Sequence, residues 1–272
     1  MKSDDKAHDD LADGTDRNFV MALARGFDVL RSFKPSDLTL TNQQIASRTG
    51  LPKPTISRLT YTLCKLGYLV HCDNDSAYRL GAGVLALGYS ALAGMDIADL
   101  AKEEMRKLCE GPNRYVTAAL GERHRLQIVY MAVRRSNQAV SLTMEVGARL
   151  PLFQSAIGRA VLVAMSEDER AHMTHLAIDE RPDKAQQIRQ GLAEALECYA
   201  KYGFTTSFGS WRPEVNGIAV PVVSLSGDRV FALNVGGPSF MVEPEELISE
   251  YGQRLIAAGQ EIGMRQSKRE KD

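Results

Sequence analysis

From Phe19 to Phe33 the apolar residues Phe19, Val20, Leu23, Phe27, Leu30 and Phe33 recur at helical steps, until Pro35 stops the run. Asn18 or a neighbour is the expected start. A second helix is expected from Thr41, a good N-cap with Gln44 placed to close a capping box, to Gly50, suited to a left-handed cap. A third begins near Lys53, with Pro54 harmless in its first turn, and Ile56, Leu59, Leu63 and Leu66 line one side of it. After Gly67 the period becomes extended. Tyr68–His71 and Ala77–Leu80 flank Asp73-Asn74-Asp75-Ser76, a strong turn signal.

Two further helices follow. Gly83–Ala93 is too apolar to sit exposed and reads as a dimer interface rather than a passive spacer. The next runs from its cap at Asp96 to about Glu110, with Ile97, Leu100, Ala101, Met105 and Leu108 on one face. Residues 111–265 then mix both periods in one α+β domain. Strands are expected at Tyr115–Leu120, Leu126–Val133, Ala139–Val146, Gly217–Ser224 and Arg229–Val235, the last two joined at Ser226-Gly227-Asp228. Helices are expected at Ser155–Met165, at Glu167–Leu176 capped by Ser166 and Glu169, at Lys184–Tyr202 and at Pro244–Met264. Helices segregated from a mainly antiparallel sheet fit a sensory, ligand-holding domain.

By itself the helix pair at Thr41–Leu59 is either a small hairpin with a solvated face or a DNA-reading helix-turn-helix. The face opposite Ile56 carries Lys53, Thr55, Ser57, Arg58 and Tyr61, side chains that bond phosphates and base edges. The β-hairpin that follows decides for the second reading, because three helices and a hairpin make a winged helix. Arg25 on the first helix and Arg79 on the wing are candidate phosphate contacts.

Charge sharpens that choice. Residues 1–17 carry a balance of −3 and residues 18–81 one of +4, and no acidic residue lies between Asp37 and Asp73. A locally basic module on a chain of net charge −1 suits phosphate contact by that module alone. Residues 1–17 lack apolar periodicity and are expected to be a disordered acidic tail. Cys64, Cys72, Cys109 and Cys198 form no CxxC pair, and His172 and His175 share a helix face without a third ligand, so neither metal, cofactor nor disulfide framework is expected. No apolar run reaches membrane-span length, and a cytoplasmic location is the default expectation.

Specific motifs go further. Ala22-Leu23-Ala24-Arg25-Gly26-Phe27-Asp28-Val29-Leu30, Thr49-Gly50-Leu51-Pro52-Lys53-Pro54-Thr55-Ile56-Ser57-Arg58-Leu59, Gly67-Tyr68-Leu69 and Tyr78-Arg79-Leu80-Gly81 resemble the IclR family of bacterial transcription regulators. So do Arg149-Leu150-Pro151-Leu152, Ser155-Ala156-Ile157-Gly158-Arg159-Ala160 and Gly217-Ile218-Ala219-Val220-Pro221 in the second half. The start Phe19–Gly26 is most similar to the subgroup that controls aromatic-acid catabolism. The resemblance implies an α+β chain: a winged helix-turn-helix at 18–81, a helical dimerisation linker at 82–110, a GAF-like effector-binding domain at 111–265 and a charged tail at 266–272. Its partners would be double-stranded operator DNA, a small organic effector such as an aromatic or other carboxylic acid, and itself as a homodimer or a dimer of dimers, repressing or activating a catabolic operon.

By motif position, the resemblance assigns Ala156, Ile157, Ser207, Gly217, Asn234 and Gly236 to the effector pocket. Gly217 offers no side chain where other members place a polar one, and Asn234 and Gly236 stand where serines are frequent. The loop at 210–216 adds Trp211 and Arg212. Arg212 could fork two hydrogen bonds to a carboxylate while Trp211 closes over the ligand; otherwise Trp211 fills core and Arg212 is solvated.

Catalytic constellations do not stand out: there is no G-x-S-x-G elbow, P-loop or G-x-G-x-x-G opening a helix. The expectation is a regulator, not an enzyme. Two alternatives stay open at this point: a metabolic enzyme with an appended DNA reader, and a DNA-binding protein whose C-terminal domain only oligomerises.

Overall fold

The computed structural model describes residues 18–73, 75–93, 96–135, 144–223 and 229–269. The expected acidic tail, strand residues 139–143, the turn at 226–228 and the last three residues lie outside the described set. The chain divides into two compact units at Gly94/Met95.

In the first unit α1 (Met21–Arg31), α2 (Asn42–Thr49) and α3 (Lys53–Lys65) pack around Val29, Leu40, Ile45, Ile56, Leu63 and Leu69. Both caps form as the residues dictate: Thr41 and Gln44 close a capping box, and Gly50 ends α2 at φ 67°. The first helix starts at Met21, later than its apolar pattern begins. The wing is β2 (Leu69–Cys72) paired antiparallel with β3 (Ala77–Leu80). A two-residue strand, β1 (Leu40–Thr41), joins its other edge; it is too short to leave a period-2 signal. Then α4 (Ala82–Ala93) follows, with Leu85, Leu87 and Tyr89 exposed.

The second unit is a six-stranded antiparallel sheet in the order β6-β5-β4-β9-β8-β7. Its strands are β4 (Thr117–His124), β5 (Gln127–Arg134), β6 (Arg149–Pro151), β7 (Thr205–Phe208), β8 (Val215–Val223) and β9 (Val230–Pro238). The expected β-hairpins appear, as do the short edges β6 and β7, which the sequence pattern did not announce. Pro151 is tolerated because β6 is an edge. Residues 144–146, expected to end a strand, are not extended pairs.

One sheet face packs Ala118, Leu120, Ile218, Val220, Phe231, Leu233 and Val235 against α5 (Asp96–Cys109) and α10 (Gly252–Arg269). Thus α5 belongs to the core of this unit: its face of Ile97, Ala101, Met105 and Leu108 is buried there. The other face packs Ala119, Ile128, Tyr130, Ala219 and Ala232 under α6 (Ala156–Ala164). Outside that lie α7 (Glu167–Glu180) and α8 (Ala185–Tyr202). The helix expected from Pro244 is broken: α9 (Pro244–Glu246) passes through a π turn, Leu247–Tyr251, before α10. There Tyr251 is fully buried and its hydroxyl accepts from the Asn113 N–H at 2.8 Å.

Candidate functional site

In the first unit the site is the outward side of α3. Ile56, Thr60 and Leu63 anchor the helix inward, and Thr60 Oγ1 donates to the Ile56 carbonyl at 3.0 Å. The burial of these three side chains fixes the rotation of α3 and leaves Lys53, Ser57 and Tyr61, four residues apart, exposed on one strip, with exposed Arg58 beside it three residues before Tyr61. Thr55 sits half-buried at its rim. Asn42 Nδ2 reaches Ser57 Oγ at 3.4 Å, tying α2 to the strip. Lys65 Nζ lies 5.5 Å from the Tyr61 ring centroid, which adds positive charge beside an exposed aromatic. Arg25 and Arg79 are exposed on α1 and the wing.

Arg48 is withdrawn from that surface. Its guanidinium grips Asp37 through both carboxylate oxygens and donates to the Ser32 carbonyl at 2.8 Å. The Arg48 hydrogen bond, with the Lys34 backbone N–H second, holds the Asp37 carboxyl at about 2. A lowered carboxyl contributes stability above its ordinary value of 3.8 and loses it as pH falls through about 2, so this tie is fully formed near neutrality.

In the second unit the motif-assigned residues converge. Ser207, Gly217, Gly236 and Thr117 are successive register partners across β7, β8, β9 and β4, and Thr205, Ala219, Asn234 and Ala119 form the next row. The first turn of α6 lies over this floor: a Cβ on Gly217 would stand 4.0 Å from the Cβ of Ala156. Ser155 caps that turn by accepting from the Gly158 N–H. Hydrogen bonds pin the turn to β7, with Ser207 Oγ donating to the Gln154 carbonyl at 2.7 Å and Thr205 Oγ1 to the Ala156 carbonyl at 2.8 Å.

Arg159, quoted in the α6 motif without a role, is buried and completes the clamp. It donates to the carbonyls of Phe153 at 3.0 Å and Thr206 at 2.7 Å and to Glu194 of α8 at 2.6 Å.

The floor under α6 is made of small residues, with Ala119, Ala219 and Ala232 buried in one cluster with Ala156 and Ile157. Within β9 the run from Phe231 to Pro238 is buried except at Asn234, which is partly open despite its place in mid-sheet. Tyr130 of β5, absent from the sequence reading, meets Asn234 across β4, whose residues there on this face are Ala119 and Gly121. Burial pushes the Tyr130 hydroxyl well above the ordinary tyrosine range, and the nearby Asn234 side chain opposes that shift only in part. Trp211 packs half-buried on the same core, and exposed Arg212 stacks 4.5 Å from its ring centroid. The Trp211–Arg212 pair is therefore at the edge of the site rather than on its floor. Cys198 donates to or accepts from Thr206 Oγ1 at 3.4 Å and stands on α8, while His172 and His175 are exposed on α7.

The comparisons with known proteins cover both units. The model of the IclR helix-turn-helix domain matches residues 22–71, and that of the bacterial transcriptional regulator IclR C-terminal domain matches residues 89–264. The chain belongs to the IclR family. An IclR family transcriptional regulator from Brucella abortus has a solved structure with 41% identity and a TM-score of 0.82, over 92% of this chain and 94% of that one. The HTH-type transcriptional regulator TsaQ1/TsaQ2 of Comamonas testosteroni is 32% identical over 89% of this chain and 87% of its own length. An IclR homolog from Microbacterium hydrocarbonoxydans, solved in complex with 4-hydroxybenzoate, shares the fold at 24% identity and a TM-score of 0.66, over 89% of this chain and 98% of that one.

As an IclR-type regulator the chain binds DNA through its helix-turn-helix and a small-molecule effector through its C-terminal domain. Membership sets aside the enzyme with an appended DNA reader. No helix among the described residues is long and apolar enough to cross a membrane.

Proposed function

We propose that this IclR-type regulator works as a homodimer, alone or paired as a dimer of dimers. The dimer sets two α3 helices into successive major grooves, about one helical turn apart, on a roughly palindromic operator. Lys53, Thr55, Ser57, Arg58 and Tyr61 supply contacts in the groove, and Arg25 and Arg79 hold phosphates. What supports this assignment is the exposed polar strip on a helix whose other side is locked by Ile56, Thr60 and Leu63. The dimer is supported by α4, where Leu85 is 75% and Tyr89 70% exposed on a helix that carries no charged residue. A second copy of the same helix is the apolar partner that would cover it.

The effector pocket of the proposal is the space over Gly217, Gly236 and Asn234, walled by Ala156, Ile157 and Ser207, with Trp211 and Arg212 at its mouth. An aromatic or other carboxylic acid fits it. The N–H groups of Ala156 and Ile157, in the first turn of α6, lack intrahelical acceptors, and the helix dipole favours an anion there. The effector shifts operator affinity by preferring one arrangement of the dimer, and residues 82–110 join the two units that must be coupled. A catabolic operon near the gene is the expected target.

Operator binding tests the reading. Arg58→Ala should cost about 1–3 kcal/mol and relax preference at one base pair. Lys53→Ala should weaken all sequences alike and lower the salt dependence. If gel shifts on the DNA upstream of the gene and its neighbours show both variants binding like the parent, α3 does not read the operator.

A further inference from the structure

The outward side of α3 is one-sided in charge. Between Asp37 and Asp73 the chain holds Arg48, Lys53, Arg58 and Lys65 and no acidic residue. Arg48 is matched inside the unit by Asp37, whereas Lys53, Arg58 and Lys65 are exposed. Arg25 on α1 and Arg79 on the wing are exposed as well. Such a surface attracts any polyanion that can reach it, and DNA is not the only candidate.

The other candidate is in the same chain. Residues 4–16 carry Asp4, Asp5, Asp9, Asp10, Asp13 and Asp16 against Lys6, a local balance of −5. This segment lies outside the described residues and leads into the reader unit at Asn18, just before α1. In turn α1 and α3 share one core, through Val29 and Ile56. The 17 residues before Asn18 can extend over about 56 Å, while α3, with 13 residues, is about 20 Å long. The aspartates therefore reach the α3 strip with chain to spare. A tether of this length presents them at about millimolar effective concentration.

We propose that residues 4–16 dock on the α3 strip of their own chain, their carboxylates standing in for DNA phosphates, and that DNA must displace them. The same factor of affinity is lost for every sequence. Non-specific binding, which is nearly all electrostatic and weak, is thereby suppressed, while a tightly bound operator stays occupied.

The inference rests on α3 being the DNA reader, and its test separates the two. The full-length protein with Asp→Asn at positions 4, 5, 9, 10, 13 and 16, and a form lacking residues 2–16, are compared with the parent by fluorescence anisotropy. The probe is a random-sequence duplex of about 30 base pairs. Both variants should bind it about three- to tenfold more tightly at low salt, the release of a tethered competitor. The gain should shrink as added salt screens the contact. Carbodiimide, which joins a carboxylate directly to an amine it touches, should link the tail of the parent to Lys53 or Lys65, read by mass spectrometry of the peptides. Saturating duplex should suppress those links. Parental affinity in both variants would overturn the proposal, as would the absence of links to either lysine or links that persist under saturating DNA. In any of these cases a loss of binding in Arg58→Ala still leaves α3 as the reader. If Arg58→Ala and Lys53→Ala both bind like the parent, the reader and the docked tail fall together.

Discussion

The two faces of the six-stranded sheet are made of alternate residues of the same strands, and they are built for opposite ends. Along β9, Phe231, Leu233 and Val235 turn to α5 and α10, while Ala232, Asn234 and Gly236 turn to α6. Along β8, Ile218, Val220 and Val222 oppose Gly217 and Ala219. One face is filled with large side chains. The other has bulk removed from its middle and a polar group set there. Because side chains alternate strictly along a strand, the filled face can hold the sheet in register while the thinned face is free to bind. An effector domain needs both: a rigid floor and a place where the packing is incomplete.

The contrast is broken most severely on the filled face. Phe231 is fully buried between β9 and the helices above it, and Phe231→Ala should destabilise the protein by about 3–5 kcal/mol in urea unfolding, from lost transfer energy and the cavity left behind. A loss below about 1 kcal/mol would mean that this face is not the structural one.

Next comes the clamp over the thinned face. Arg159→Met leaves two inward carbonyls, those of Phe153 and Thr206, without their donor. Each unmet buried acceptor costs about 1–3 kcal/mol, so a loss of about 2–6 kcal/mol is expected by the same measurement. Glu194 is 40% exposed at its side chain, so its charge returns to water and Glu194→Gln should cost well under half as much. Equal losses for the two variants would show that the ion pair, and not the carbonyl bonds, holds α6 to β7.

Much of the first unit was legible because its determinants are local. Thr41 and Gln44 are three residues apart, Gly50 marks its own backbone angle, and Pro54 sets the first turn of α3. In the second unit the longer strands and helices showed in their periods, but β6 and β7 become strands only through their neighbours. The π turn before α10 has no period of its own. At the proposed effector site, the residues that motif position assigns, Ser207, Gly217, Asn234 and Gly236, lie in neighbouring rows of three adjacent strands. Tyr130 could not be found that way. It stands 104 residues from Asn234, reaches it across β4, and depends on an irregularity of register between Leu120 and Gly121. Arg159 was visible as a motif letter, yet its partners are backbone carbonyls, which sequence does not distinguish.

A finer cut lies within the thinned face, between its two facing glycines. Gly236 and Gly217 are register partners, so any difference between them is one of surroundings, not of strand or row. A Cβ at Gly236 would stand 2.4 Å from the Asn216 carbonyl oxygen and 3.0 Å from the Gly217 Cα, both backbone atoms that cannot swing away. Gly236→Ala should therefore cost about 1–3 kcal/mol, the range for forcing atoms into a packed site.

The smallest effect belongs to Gly217. A Cβ there meets the Val235 carbonyl oxygen at 3.3 Å and otherwise only ordinary contacts, so the strand needs to give by a few tenths of an ångström. A strand interior also favours alanine over glycine entropically, by about 0.5–1 kcal/mol in the unfolded chain's loss of freedom, which offsets that strain. Gly217→Ala should change stability by less than about 1 kcal/mol in either direction. Its methyl would nevertheless stand 4.0 Å from the Cβ of Ala156, at the proposed effector site, so effector affinity should fall while unfolding barely moves. If the same substitution destabilised the domain as much as Gly236→Ala, the room over Gly217 would be packing slack rather than a binding site.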